Sequence, residues 1–395
     1  MKPKKSISHR DHRGHGENAP TEFFSVCSVT SVARTAVFRV RLFGRRLLAI
    51  ALLFLALSAQ AADTLHIYNW NNYIGPQTLE RFKAESACRV SYDTYGSNDE
   101  LLAKLAAGAK GYDLLVPTGN AVESLIRQKA LQTIDKHKLP HLGNLAPMYL
   151  NAAFDKGNVY SIPYAYTITL IGYNAERMRT LGIPADTWAA IFEPKYLARI
   201  KGRVTVLDDQ RELMAAALKY LGYSINDPDE GHWRQAAQVI MRAKPYWAAF
   251  NNTSYIRLLS SGDIWLAHGY SNDMFQAADA ARQANRGVDI AYNVPREGAV
   301  LALDSMVIPR DAPRPDLALR FIDFMLEGRN SAELTNLTGS GNPNRAALSF
   351  VDPAIAANPG IFPDRQVAAR LEQLRDLDRR KRRLMSRLWT EIKLR

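Results

Sequence analysis

Asp304 lies in "LALDSMVIP", a lone carboxylate in an otherwise apolar strand. Such a group is expensive to bury unless it meets a cation. The chemistry this suggests is capture of positive charge without bond making. The stretch "HIYNWNNYIGPQT", residues 66–78, adds aromatic and amide surface, with Trp70, Asn71, Asn72 and Tyr73 closing a run that reads as a strand. These four side chains either line a ligand site or cap the local core, and their spacing leaves both readings open. Motifs of catalysis are missing. "GYSND" lacks the second glycine of a nucleophile elbow, "GSGNPN" has the wrong spacing for a dinucleotide fingerprint, and no Walker loop occurs. His137 and His141 flank Pro140, so they do not share a helix face as zinc ligands would. His66, His232 and His268 form no ligand cluster.

The elements that must position these residues alternate regularly. "TLHIYNW" predicts a strand, and "GPQTLERFKAES" a helix opened by Pro76, with Leu79 and Phe82 at helical spacing. "RVSYDTY" is a second strand, and "SNDELLAKLAAG" a helix capped by Ser97 or Asn98 and closed by Gly108. "YDLLVP" follows as a buried strand. This β-α-β-α-β order implies a parallel sheet with helices on both faces, whose ligands sit beyond the carboxyl ends of the strands. The three loops "NWNNY", "DTYGSN" and "VPTGN" should therefore converge on one site.

A leader precedes this fold. Arg45 and Arg46, the apolar run Leu47–Leu57 and the small-residue box Ala59-Gln60-Ala61 read as a secretory signal, cleaved near Ala61/Ala62. Residue 62 is alanine, so no lipid attachment point follows. No methionine separates Met1 from the apolar run, which suggests initiation at a non-standard codon near Val37 or Val40. Excluding 1–61 leaves 334 residues, 395 minus 61, enough for two lobes. The leader holds ten of the 51 basic and three of the 39 acidic residues, so the remainder carries 41 minus 36, a net charge of +5. Much of that excess is in the tail "RRKRRLMSRLWTEIKLR", expected to be a solvated helix face, and nucleic acid is not expected as a partner. With Cys27 in the leader, Cys88 is the lone remaining cysteine and is expected to be a small buried residue near a strand.

"LHIYNWNNYIGPQTLERF", "YDLLVPTGN", "SIPYAYTITLIGYN", "LDDQRELMAAALKYLG", "PREGAVLALDSMVIP" and "NPGIFP" resemble, in order and spacing, the periplasmic polyamine-binding proteins of ABC transporters, the putrescine/spermidine receptor family. The resemblance covers residues 62–395. It implies an α/β, two-lobe periplasmic binding protein of type II, each lobe a mainly parallel sheet flanked by helices. The chain would cross between lobes near "PYAYTITLIGYN", "YNVPREG" and "GNPNRAA". Lobe I would be 62–165 plus 298–340, and lobe II 166–297 plus 341–395.

The resemblance places Trp70, Asn71, Asn72, Tyr73 and Thr118 on the first-lobe side of a ligand cleft, and Asp209, Glu212, Tyr270 and Asp273 on the second. Asp304 would come from the strand after the second crossing. Without the resemblance, Glu212 and Asp273 read as ordinary solvated or capping acids. A polyamine needs carboxylates matched to its ammonium groups and aromatic faces along its methylenes. The departures are Asn72 in place of an acid, Tyr270 in place of tryptophan, Ala302 in place of a large aromatic, and Ser340 or Gly341 in place of tyrosine. Tyr164, Tyr166 or Trp247 could fill that space, or the ligand could be bulkier. The expected function is a periplasmic receptor that delivers a putrescine-like cation to an inner-membrane ABC permease, as a monomer without cofactor, metal or enzymatic activity. The alternatives are a polyamine sensor for a membrane signalling receptor and a receptor for another amine such as agmatine.

Overall fold

The computed structural model describes residues 63–71 and 73–394. The leader, its cleavage box and Asn72 lie outside the described residues. Strand β1 (Thr64–Trp70) leads into α1 (Pro76–Ser86), with Pro76 in its first turn, where a missing N–H costs nothing. Strand β2 (Arg89–Tyr95) follows directly on Cys88, which is buried and free. Helix α2 (Asn98–Ala106) is capped by Ser97, whose hydroxyl accepts from Glu100 N at 3.1 Å, and Gly108 beyond it takes a positive φ of 90°. Strand β3 is only Leu114–Leu115, and α3 (Gly119–Arg127) starts from Thr118. Both β2 and β3 pair with β1 in parallel, as the alternation of elements predicts.

The 14-residue strand β4 (Ser161–Asn174) joins the two halves of one continuous sheet. Its first part, Ser161 to Ile168, pairs antiparallel with β9 (Leu301–Val307), which in turn borders β3. From Thr169 onward it pairs antiparallel with β7 (Leu266–Tyr270), and from Ile171 onward also with β8 (Ile290–Asn293). Beyond β7 lie β5 (Val204–Val206) and β6 (Ala249–Phe250), again in parallel. The sheet is thus mixed. Parallel pairing runs through β1–β3 and through β5–β7, while the long strands shared between the halves bring the antiparallel pairs. Nearly every residue of β4 is buried, so its side chains are covered on both faces.

Of the helices after β4, α4 (Gln210–Tyr220) and α5 (Glu230–Ala243) cover the second half of the sheet, α6 (Ser271–Ala284) follows β7, and α7 (Pro315–Leu326) covers the first half. The basic helix α8 (Arg379–Leu394) buries Leu384, Met385, Leu388 and Ile392 in the core of the second half and leaves its arginines outward. Among the described residues no helix is long and apolar enough to cross a membrane.

Candidate functional site

The carboxyl ends of β1, β2 and β3 are tied to one atom. The Val116 carbonyl accepts the Trp70 indole N–H at 2.9 Å and the Tyr95 hydroxyl at 2.6 Å, with the two rings 4.7 Å apart. Trp70 is therefore half-buried and spends its polar edge on holding the loops together. Asn71 is exposed in the turn that follows. Tyr73 turns back inward, and its main-chain carbonyl accepts from the Tyr164 hydroxyl at 2.6 Å.

Asp304 is the centre of this half. It is 5 % exposed, and Thr118 Oγ1 donates to Oδ1 at 2.6 Å while the Tyr73 hydroxyl donates to Oδ2 at 2.9 Å. Thr118 is itself fixed, since its N–H bonds to Asn98 Oδ1 at 3.2 Å and its strand-like backbone bridges Asp304. Burial pushes the Asp304 carboxyl up to about 7, and the two hydroxyl bonds pull it partly back.

A second cluster belongs to the other half of the sheet. Glu212, 6 % exposed, accepts from Thr169 Oγ1 at 2.7 Å, and Thr169 is the register partner of Tyr270. Burial first, and then the charge of Asp209, hold the Glu212 carboxyl well above the usual range. Asp209 is the N-cap of α4, accepting from the backbone N–H groups of Arg211 at 2.8 Å and Glu212 at 3.1 Å. Its carboxyl is raised by burial and by Asp99 of α2, against the pull of those N–H groups. Asp273, in the first turn of α6, accepts from the Tyr255 hydroxyl and is pushed by burial up to about 6. The Arg211 guanidinium donates to the Arg375 carbonyl at 3.1 Å, and its charge offsets part of the upward push on Asp209 and Glu212.

These two clusters share a floor. Asp304 is the register partner of Ala165, and Glu212 hangs from Thr169, four positions further along β4, or about 13 Å at the rise of a strand. Between them, Thr167 and Ala302 are register partners, and strand alternation puts 165, 167 and 169 on one face. Small side chains thus separate buried acids whose donors are all hydroxyls or backbone N–H groups. Among the described residues, no ion pair involves Asp209, Glu212, Asp273 or Asp304. An uncompensated buried carboxylate is held for a cation or a proton.

The expected wall replacements resolve unequally. Tyr164 packs edge-on against Tyr73 with centroids 5.7 Å apart. Tyr166 covers Gly341, where an added Cβ would lie 2.0 Å from its ring, so that space is already taken. Ser340 is fully buried. Trp247 is not a wall: its indole donates to the Ile191 carbonyl at 3.1 Å, and its ring lies in the core against Phe192 and Phe250. Ala302 is half-buried, and its register partner is the small Thr167. Sequence reasoning missed Thr169, Tyr255 and Asn98, each of which aims a site residue from 18 to 43 positions away in the chain or holds its loop. His268 is buried among core groups, held neutral with its imidazole pushed down to about 3, and takes no part. Among the described residues, no group of three or more His, Cys, Asp or Glu could hold a metal ion.

Two half-sheets joined by a shared strand, with an acid cluster on each side of the join, define a two-lobe periplasmic binding protein of type II. The chain belongs to the bacterial extracellular solute-binding proteins, whose family model matches residues 77–363. It is 53 % identical over 352 residues to the putrescine/cadaverine-binding protein of Pseudomonas aeruginosa, covering 89 % of this chain and 99 % of that protein. It is 35 % identical to a putrescine-binding periplasmic protein of Escherichia coli, over 88 % of this chain and 96 % of that one. Among solved structures, the spermidine/putrescine ABC transporter substrate-binding protein of Streptococcus pneumoniae matches with a TM-score of 0.74 and 26 % identity, over 84 % of this chain and 99 % of that one.

Proposed function

We propose that the protein captures a linear diamine, putrescine or cadaverine, between its lobes and delivers it to an ABC permease in the inner membrane. The observation that carries this reading is the set of buried carboxylates that form no ion pair among the described residues, Asp304 at one end of the floor and Glu212 with Asp273 at the other. An ammonium at each end of an alkyl chain satisfies both ends at once, and Tyr73 and Tyr270 offer faces to the methylenes. Contacts to both lobes favour the closed form, which is the form a permease would recognise. Export follows from the leader, with cleavage near Ala61/Ala62, and action as a monomer completes the reading. We assign lobe I to 62–165 plus 298–340 and lobe II to 166–297 plus 341–395, and move the short helix at 345–350 to lobe I because it packs on the helix at 328–338, where Asn336 Nδ2 donates to the Phe350 carbonyl at 2.9 Å.

The test is a thermal-shift panel on residues 62–395, unfolded and refolded to strip carried-over ligand, with putrescine, cadaverine, spermidine, spermine, agmatine, arginine and γ-aminobutyrate. Ligand at about a hundred times its Kd adds roughly 2.7 kcal/mol, enough to raise Tm by several degrees. Putrescine or cadaverine is expected to give the largest shift. A larger shift with agmatine or an amino acid overturns the ligand, and no shift with any amine overturns the function.

Ala302→Trp is expected to strengthen putrescine binding, by threefold or more in titration calorimetry, because it supplies a face over the methylenes beside the floor between the two acid clusters. Weaker binding would mean that the space beside Ala302 is occupied by ligand.

A further inference from the structure

The segment 372–376 is fastened to two helices that both begin at the site. Helix α3 starts from Thr118 and α4 from Asp209, one in each lobe, so closing the cleft changes the distance between them. Toward α4, Glu372 pairs with Lys219 and takes the Ser224 hydroxyl, Arg375 N donates to Asn226 Oδ1 at 2.9 Å, and Asn226 Nδ2 donates to the Gln373 carbonyl at 2.9 Å. Leu374 is buried against Ala215, Ile225 and Val300. Toward α3, Arg375 grips Glu123 with both arms of its guanidinium, Nη2 to Oε1 at 2.7 Å and Nε to Oε2 at 3.1 Å, and Asp376 N bonds Glu123 Oε2 at 2.9 Å. Arg127 adds an ion pair with Asp376.

We infer that residues 372–376 form an interlobe strap that stabilises the closed receptor through the Glu123–Arg375 and Arg127–Asp376 pairs, and so sets ligand affinity without touching ligand. The geometry suits this role. A two-armed guanidinium–carboxylate pair has strict directional needs, so it is lost when its two helices separate. The acids are well covered, with Glu123 and Asp376 side chains 18 % and 14 % exposed, so these pairs count for more than open surface pairs do. The segment is anchored at the crossing itself, where Glu372 N donates to the Ala299 carbonyl at 3.0 Å and Leu301 N donates to the Glu372 carbonyl at 2.8 Å, and the burial of Leu374 with the two Asn226 bonds ties it to the α4 side. Its contacts to α3 are side-chain pairs and one main-chain donor, the kind that can be made and broken. A receptor whose closed form is less populated binds every ligand more weakly by one common factor.

The test uses Glu123→Gln, Arg375→Met and the double variant of the 62–395 protein. Putrescine and cadaverine affinities are measured by titration calorimetry, and the radius of gyration by small-angle scattering with and without ligand. The expected result is that each single variant weakens both diamines by the same factor, about five- to tenfold, and that the double variant is no worse than the weaker single. The ligand-saturated radius should match the unaltered protein's. Unchanged affinity with a lowered Tm would overturn the strap and leave a static hinge contact. Different factors for the two diamines would overturn it in favour of a ligand contact. If the unaltered protein bound no diamine, the ligand assignment would fail separately, and the strap would be judged on the change in radius with whichever solute does bind.

Discussion

Asp304→Ala is expected to weaken diamine binding by at least tenfold in titration calorimetry at pH 8. An ammonium hydrogen-bonded to a carboxylate is worth roughly 1.5 to 3 kcal/mol, which is about ten- to a hundredfold in Kd. The loss has a second part. With the carboxylate gone, the Thr118 and Tyr73 hydroxyls that now donate to it lose their acceptor in a buried place. Asp304→Asn separates the two effects, because an amide oxygen still accepts from one hydroxyl but carries no charge. It should therefore bind almost as poorly as the alanine variant. At pH 8 it should also leave the unliganded protein no less stable than the parent, since it removes a buried charge that is not paired. An unchanged Kd in both variants would place the ligand on another strand.

How far this site could be read from sequence depends on whether its contacts are local. The alternation from β1 to β3 was readable because each element carries its own signal: Pro76 opens a helix, Ser97 caps one, and the apolar run at 114–116 is a buried strand. Asp304 was readable because an acid in an apolar strand contradicts its surroundings. Thr169 was not, because its role depends on Glu212, 43 residues away. A trace of it exists in "YTIT", where Thr167 and Thr169 repeat at the two-residue period of a strand and so mark one face as polar. Glu212 and Asp273 look like ordinary first-turn helix acids, a common place for solvated carboxylates, so that only the family resemblance singled them out. The fate of the missing walls was not readable at all. Whether Tyr166 or Trp247 fills a gap is decided by which core each ring joins, and that is set by strands far apart in the chain.

Diamine affinity is expected to rise steeply with pH between 6 and 8, by about tenfold from Asp304 alone. The reasoning is one of linkage: a cationic ligand binds the ionised acid, so any proton held in the empty site must first leave, and affinity grows as pH removes it. Burial holds Asp304 at about 7 and Asp273 at about 6 in the empty protein, with Glu212 raised as well. The groups around them do not reverse the sign. Tyr73, Tyr95, Tyr164, Tyr255 and Tyr270 are all raised and stay neutral through this range, Asp209 and Asp99 add negative charge, and Arg211 pulls Asp209 and Glu212 down but by less than burial raises them. Stability of the empty protein should move the opposite way. Each acid's folded value lies above its unfolded one, so the folded state holds more protons, and the stabilisation present at low pH is lost as pH rises through about 6 to 7. The checks are Kd by calorimetry at pH 6, 7 and 8 in buffers of different ionisation enthalpy, and Tm with and without putrescine. Saturating diamine should cancel most of the fall in Tm, because it replaces the departing protons with ammonium groups. A Kd independent of pH, with no proton released on binding, would mean that the acids are already ionised in the empty site. Their charge would then have to be balanced by a cation already in the site or by water admitted to the cleft, and the site would not be poised for exchange of proton and diamine.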